Sequence, residues 1–301
     1  MVRGGNLGRL CLSQSDNNSM MRPTMSISPL AQGALPWHLE DIDLRHADAK
    51  AVRDDEPLLL LLAASSFVES ASHLYAGNLV EHFGADAEVS AWLAQHWEPE
   101  ELQHGRALRA YVARVWPDYD WERAYAAFFG EYSALCTPEE LQPVRGLELV
   151  ARCVVETGTA TLYQTISRHA RDPVLRALTA RISRDEIGHY RHFYRYFRAY
   201  QRTERNSRLR ALRTIVRRVL DERVEDAECG LRHAIAERYR ESAPDPARLG
   251  AMTVRIRALV RDAYPYEMAA RMLLKPLALP ALLGGIIRPP LILAARWLIL
   301  G

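Results

Sequence analysis

From Asp55 to about Phe83 apolar residues recur at helical spacing, and Leu and Ala dominate. The pattern predicts one long helix with a single acid, Glu69, near its middle. Residues 86–115 read as a second helix, and Pro99 predicts a kink or interruption there. Trp116-Pro117-Asp118 closes it, and 120–135 predicts a shorter aromatic helix. Thr137-Pro138-Glu139-Glu140 supplies an N-cap residue and a proline at the first helical position, predicting a helix that runs to about Ala170 and contains Glu156. Asp172-Pro173 predicts the next start, with helix to about Gln201. Residues 204–241 are strongly charged and helical, and 246–262 are helical again. No strand alternation or hairpin signal appears, so the expected fold class is all-α.

The two ends of the chain read differently. Residues 1–36 carry Gly, Ser, Asn, Pro23, Pro29 and Pro36 without periodicity, which predicts a disordered leader. The apolar patch Leu7–Leu12 is too short for a secretory signal, and Met20, Met21 and Met25 are alternative starts. Residues 264–301 have no acid after Glu267 and form an apolar, basic tail containing Lys275, Arg288, Arg296 and Trp297. Pro276, Pro280, Pro289 and Pro290 leave no unbroken run of the roughly 20 residues a bilayer crossing needs. Such a tail suits the headgroup region of an anionic membrane, or else packs over the helices or into a homodimer interface. The expected division is therefore leader 1–36, helical bundle 37–263 and tail 264–301.

Two stretches carry chemistry. Glu101-Leu102-Gln103-His104 and Glu186-Ile187-Gly188-His189 repeat the spacing Glu-x-x-His, which at about 100° per residue puts acid and imidazole on one helix face. About 0.7 such matches are expected by chance in this composition, so the pair alone decides nothing. Context adds weight, because each motif helix is preceded by one with a lone acid among apolar or small residues, Phe67-Val68-Glu69-Ser70 and Val154-Val155-Glu156-Thr157. A buried carboxylate without a partner is costly, and four together repel, so two cations are the natural resolution. Surface i,i+3 pairs on unrelated helices are the competing reading.

On these residues the chain resembles the ferritin-like di-iron carboxylate superfamily. Within it the likeness is greatest to the soluble acyl-carrier-protein desaturases, the fatty acid desaturase type 2 family. The resemblance rests on Trp97-Glu98-Pro99-Glu100-Glu101-Leu102-Gln103-His104-Gly105, Leu108, Tyr111, Glu156 with Thr159, and Asp185-Glu186 before His189, within about residues 55–200. It implies a four-helix bundle with additional C-terminal helices. It also implies Glu69 and Glu156 as ligands from the lone-acid helices, Glu101 and Glu186 as bridging carboxylates, and His104 and His189 as nitrogen ligands. Mixed carboxylate and imidazole ligation suits iron that must bind oxygen. Asp185 and Glu100 are placed to accept the far ring N–H of a ligand histidine, or are solvated acids. Thr159 is placed to hydrogen-bond beside the metals, or is a cap.

The implied activity is that of an oxygen-dependent di-iron oxidase, with two Fe ions and molecular oxygen as co-substrate, desaturating or hydroxylating an acyl chain or similar apolar substrate. An acyl carrier protein would present the chain and a ferredoxin-type donor would supply electrons. The alternatives are a ferroxidase or iron-handling protein, which should build a large shell, a tRNA-hydroxylase-like enzyme, and a metal-free bundle attached to a membrane. Ile182 stands where related N-oxygenases place a further histidine, which counts against amine oxidation. His192 reads as a surface or supporting histidine, and His73 and His96 as structural.

Charge and cysteine usage change the picture only slightly. The net charge is +2, and nearly all cations are Arg, so no polyelectrolyte role follows and no nucleic-acid partner is expected. Arg191, Arg195, Arg198, Arg202 and Arg205 form a stripe facing away from His189, either a solvated face or a docking surface for an acidic partner. Tyr194, Tyr196 and Phe197 between them read as core. Four cysteines without a C-x-x-C pair fit free thiols in a reducing compartment, hence a cytoplasmic location or the inner face of the membrane.

Overall fold

A computed structural model describes residues 35–221, 226–241 and 246–300 of the chain. Within these, the α-helices are α1 (Ala49–Val52), α2 (Glu56–Ser70), α3 (Ser72–His82), α4 (Ala87–Trp92), α5 (Glu98–Val115), α6 (Trp121–Leu135) and α7 (Arg145–His169). They continue with α8 (Pro173–Glu204), α9 (Arg208–Asp221), α10 (Asp226–Arg238), α11 (Pro246–Ala263), α12 (Tyr266–Leu274) and α13 (Ala281–Leu300). No strand occurs among the described residues, so the fold is all-α. The expected leader lies almost wholly outside the described residues, as does Cys11; Cys136, Cys153 and Cys229 form no disulfide among the described residues.

Aspartates set many of the helix starts. Asp55, Asp86, Asp120 and Asp172 each accept a backbone N–H from the first turn of α2, α4, α6 and α8. Asp172 is fully buried and also accepts from the Tyr111 hydroxyl at 2.7 Å and from the Asp48 N–H at 3.1 Å, so one cap ties α8 to α5 and to the turn before α1.

Two expected boundaries differ, and one interruption falls where it was expected. The helix predicted over 55–83 breaks at Ala71, directly after Glu69. The stretch 86–115 is interrupted as Pro99 implies, by a π-helical turn at Leu93–Trp97 before α5. The helix expected from Thr137 is only a 3-10 turn, Pro138–Glu140, and Thr137 makes no side-chain cap. Pro143 explains the delay: it lacks an N–H and biases Gln142 away from helical backbone, so α7 starts at Arg145.

Helices α2 with α5, and α7 with α8, form antiparallel pairs. Arg53 before α2 bonds the carbonyl of Val115 at the end of α5, while Ser70 at the end of α2 lies against Gly105 near the start of α5. Ser183 bonds the Ala160 carbonyl and Thr159 reaches Glu186, which sets α7 against α8. The apolar core falls into two clusters. One is built from Leu58–Phe67, Ala107–Val115, Tyr163, Ile166 and Leu175–Ile182, the other from Leu79, Trp97, Leu149–Val154, Tyr190 and Phe193. The layer between them along the helices is polar, and it holds Glu69, Glu101, His104, Glu156, Glu186 and His189.

One glycine fixes how closely the first pair approaches. A Cβ on Gly105 would sit 2.5 Å from Ser70 Oγ, 2.7 Å from its N and 3.0 Å from its Cα, mostly backbone that cannot move aside. Gly105→Ala is therefore expected to lower stability by about 1–3 kcal/mol, read as a shift of the denaturant midpoint. Unchanged stability would mean that α2 and α5 do not meet here.

The tail expected over 264–301 does not form a separate unit. In α12, Tyr266, Ala269, Ala270 and Met272 are buried, followed by Pro276 and Leu277, and Tyr190 donates to the Met272 carbonyl at 2.7 Å. α13 remains largely exposed as far as Arg296, and the side chain of Trp297 lies outside the described residues. By length and composition the stretch Glu56–His82 passes as a membrane span, yet its apolar window is 56% buried within the fold.

Candidate metal centre

All six expected ligands meet. They are at most 5% exposed, and they fall into two sets whose ligand atoms each lie within 4.8 Å of one another: Glu69, Glu101, His104 and Glu186, and Glu101, Glu156, Glu186 and His189. Glu101 and Glu186 belong to both. His104 Nδ1 lies 3.5 Å from Glu101 Oε2, 3.2 Å from Glu186 Oε1 and 3.9 Å from Glu69 Oε2. His189 Nδ1 lies 3.2 Å from Glu101 Oε1, 3.4 Å from Glu156 Oε2 and 3.6 Å from Glu186 Oε2. Each bridging acid thus directs one oxygen to each histidine.

The donor set fits a metal pair. His104 Nδ1, His189 Nδ1, Glu156 Oε2 and Glu186 Oε1 are buried without a hydrogen-bond partner. Orphaned buried polar atoms are costly, and four of them converging in one place is the arrangement cations resolve. Carboxylate with imidazole suits a first-row transition metal better than the all-oxygen cages of calcium or magnesium.

The surrounding contacts fix these side chains, and they cross between helices. His104 Nε2 on α5 is 3.2 Å from Asp185 on α8, whereas His189 Nε2 on α8 is 2.9 Å from Glu100 on α5. A carboxylate only accepts, so each Nε2 carries the proton and each Nδ1 is left facing the other ligand atoms of its set. Asp185 also accepts from the Trp37 indole at 2.6 Å, and the Trp37 ring stacks on His104 at 13°. Thr159 donates to Glu186 Oε2 at 2.8 Å, the Trp97 indole to Glu156 at 3.2 Å, and the Tyr163 hydroxyl to Glu69. Asp185→Asn would replace one acceptor by an amide, and metal affinity should fall about 10–100-fold in a chelator competition. An affinity within twofold of the parent would remove Asp185 from the site.

Sequence reasoning gave three of these groups no role in the site. Tyr163 stands seven residues after Glu156, on the same face, and Trp97 four before Glu101, so helical spacing contained both. Trp37 precedes the helices and carries no periodic signal. His192 is in neither ligand set and stacks on Trp92 at 4.8 Å, His73 stacks on Phe129, and His96 is exposed. The five arginines of the stripe are exposed, while Tyr196 and Phe197 are core.

The electrostatics divide the six groups. Burial first, then the neighbouring Glu101 and Glu186 charges, pushes the Glu69 carboxyl well above its usual range, and burial does the same to Glu156. Burial would lower the basicity of His104, but the carboxylates of Asp185, Glu101 and Glu186 outweigh it and hold this imidazole well above its usual value. His189 is raised in the same way, by Glu101, Glu100 and Glu156. Burial likewise opposes ionisation of Glu101 and Glu186, yet the two histidines win and hold both below the usual carboxylate range.

The chain matches no protein-family model, no curated protein and no solved structure.

Proposed function

We propose that the chain is a di-iron carboxylate protein with a ferritin-like bundle, acting as an oxygen-dependent oxidase on an acyl chain or similar apolar substrate. The observation that supports this best is the pair of buried ligand sets sharing Glu101 and Glu186, with both Nδ1 atoms and two carboxylate oxygens left without partners. When bound there, two irons supply oxygen-dependent oxidation of an unactivated C–H bond, with electrons from an external donor.

The chain's own residues do the rest. Glu69 and His104 would hold one metal, Glu156 and His189 the other, and Glu101 and Glu186 would span both. Asp185 and Glu100 keep the histidines in the tautomer that leaves Nδ1 free. Thr159 orients Glu186, Trp97 orients Glu156 and Tyr163 orients Glu69, so three of the four acids have one oxygen fixed by a neutral donor. Apolar clusters on both sides exclude water, which strengthens every charge interaction inside.

Oxygen uptake by the reduced, iron-loaded chain tests the reading, measured with and without an acyl thioester on an acyl carrier protein. Uptake stimulated by the thioester, with a product that has lost two hydrogens or gained one oxygen, is expected. Oxygen consumption that oxidises only added iron, in a protein of shell-like native mass, would make it an iron-handling protein instead.

A further inference from the structure

Two helices that adjoin the Lys275–Leu277 turn present apolar side chains to solvent. On α13, Leu282, Leu283, Ile286, Ile287 and Leu293 are exposed, Leu282 by 77% and Leu293 by 65%. Helical geometry at about 100° per residue places these five in one arc of about 140°. Gly284, Arg288 and Ala295, on the other side, are half-buried. On α9, Leu209, Leu212, Val216 and Leu220 are also exposed, and they share an arc of about 80°. Arg208 at the start of α9 donates to the Ala278 carbonyl at 3.1 Å, tying α9 to the turn that leads into α13.

Cations flank the α9 stripe, and a second group lines a cleft on the face of α13 opposite its own stripe. Arg210, Arg213 and Arg217 are exposed on α9 within about 100° of Leu209. Between α8, α12 and α13 lies a cleft of about 500 Å³ lined by Arg198, Arg271, Lys275 and Arg288, with Tyr194 beneath. Lys275 Nζ sits 4.6 Å above the Tyr194 ring. Arg271 and Arg288 both reach Glu267, at 2.9 and 3.1 Å, and Glu267 is the last acid in the chain. Four cations against that one carboxylate leave a surplus of three positive charges at the cleft.

We propose that this surface docks the protein on an anionic phospholipid bilayer. α9 lays its apolar stripe into the headgroup boundary while Arg210 and Arg213 meet the lipid phosphates, and the α13 stripe adds apolar contact. An apolar arc rimmed by arginine is the form an interfacial helix takes, because the aliphatic stems follow the apolar surface while the guanidinium groups stay with the phosphates. Charge decides between a bilayer and a second copy of the chain. A two-fold contact would set the same cations against one another, whereas anionic lipid supplies the missing negative charge. The proposal stands on this surface alone and is independent of the metal centre.

The test is co-sedimentation of the full, metal-loaded chain with phosphatidylcholine vesicles, with and without phosphatidylglycerol. Binding to the phosphatidylglycerol vesicles alone is expected, and it should weaken as salt rises. Arg213→Ala should weaken it about fivefold. The double variant Leu212→Glu with Ile286→Glu should weaken it more than tenfold at an unchanged melting temperature, since both side chains are exposed. Absence of binding at low salt, or equal binding by the double variant, overturns the proposal. So does a parent chain that is dimeric in solution and becomes monomeric in the double variant, because a second copy would then cover the stripes.

Discussion

Replacing Glu186 by glutamine is expected to abolish the binding of both metals, whereas Glu69→Gln should remove only one. The two ligand sets share Glu186 and Glu101 but divide Glu69 and His104 from Glu156 and His189. Loss of a shared acid removes a negative oxygen from both positions. Loss of a terminal acid leaves the other position with its three remaining acids and its histidine. Glutamine keeps the volume, so packing in the layer is preserved. Glu186→Ala adds a cavity and takes one of the counter-charges from two buried imidazoles, which should cost about 3–5 kcal/mol of apo stability as well. Anaerobic iron titration of Glu101→Gln, Glu186→Gln, Glu69→Gln and Glu156→Gln reads the pattern directly. Loss of less than one equivalent in either bridging variant would sink the dinuclear assignment.

Metal affinity should fall very steeply as the pH is lowered. In the apo protein burial favours the protonated form of Glu69 and Glu156, the histidines favour the ionised form of Glu101 and Glu186, and the carboxylates favour the cationic form of His104 and His189; these favoured forms sum to zero. Two dications bound to four carboxylates and two neutral imidazoles also sum to zero. Two protons from the carboxyls and two from the imidazoles must therefore leave. Over the range where all four are held, each unit fall in pH should weaken each metal by up to about a hundredfold. Calorimetry in buffers of different ionisation enthalpy counts the protons, and a release of fewer than two per pair of metals would contradict the charge division.

The same shifts fix the apo protein's stability. His104 and His189, raised on folding, contribute fully below their unfolded value of about 6.5 and lose that contribution as pH rises through their folded values. Glu69 and Glu156, also raised, begin to cost stability once the unfolded carboxyls ionise above about 4.3. Glu101 and Glu186, lowered, contribute above that value and lose it in acid. Apo protein should thus melt at lower temperature as pH rises through neutrality, while the metal-loaded form should not.

Much of the centre was legible before any coordinates. A Glu-x-x-His motif is local: once the helix forms, its rise and twist put both side chains on one face whatever packs against it. The same locality made the Asp172-Pro173 start readable, and it marked Glu69 and Glu156 as acids in apolar surroundings. The 3-10 turn after Thr137 was misread because a favourable cap and first-turn proline say where a helix can begin, while Pro143 five residues on decides that it does not.

Local pattern was enough for the all-α class, the six acids and histidines, and the helices that carry them. Packing was needed to show that Asp185 serves His104 and Glu100 serves His189 across the α5–α8 contact, and that Trp37, Trp97 and Tyr163 complete the layer. It also decided that α12 is core while α13 is surface. The reason is physical: facing positions within one helix follow from a fixed rotation per residue, but facing positions between helices depend on their rotation and approach. Those are set by close contacts such as Gly105 on Ser70, which no periodicity encodes.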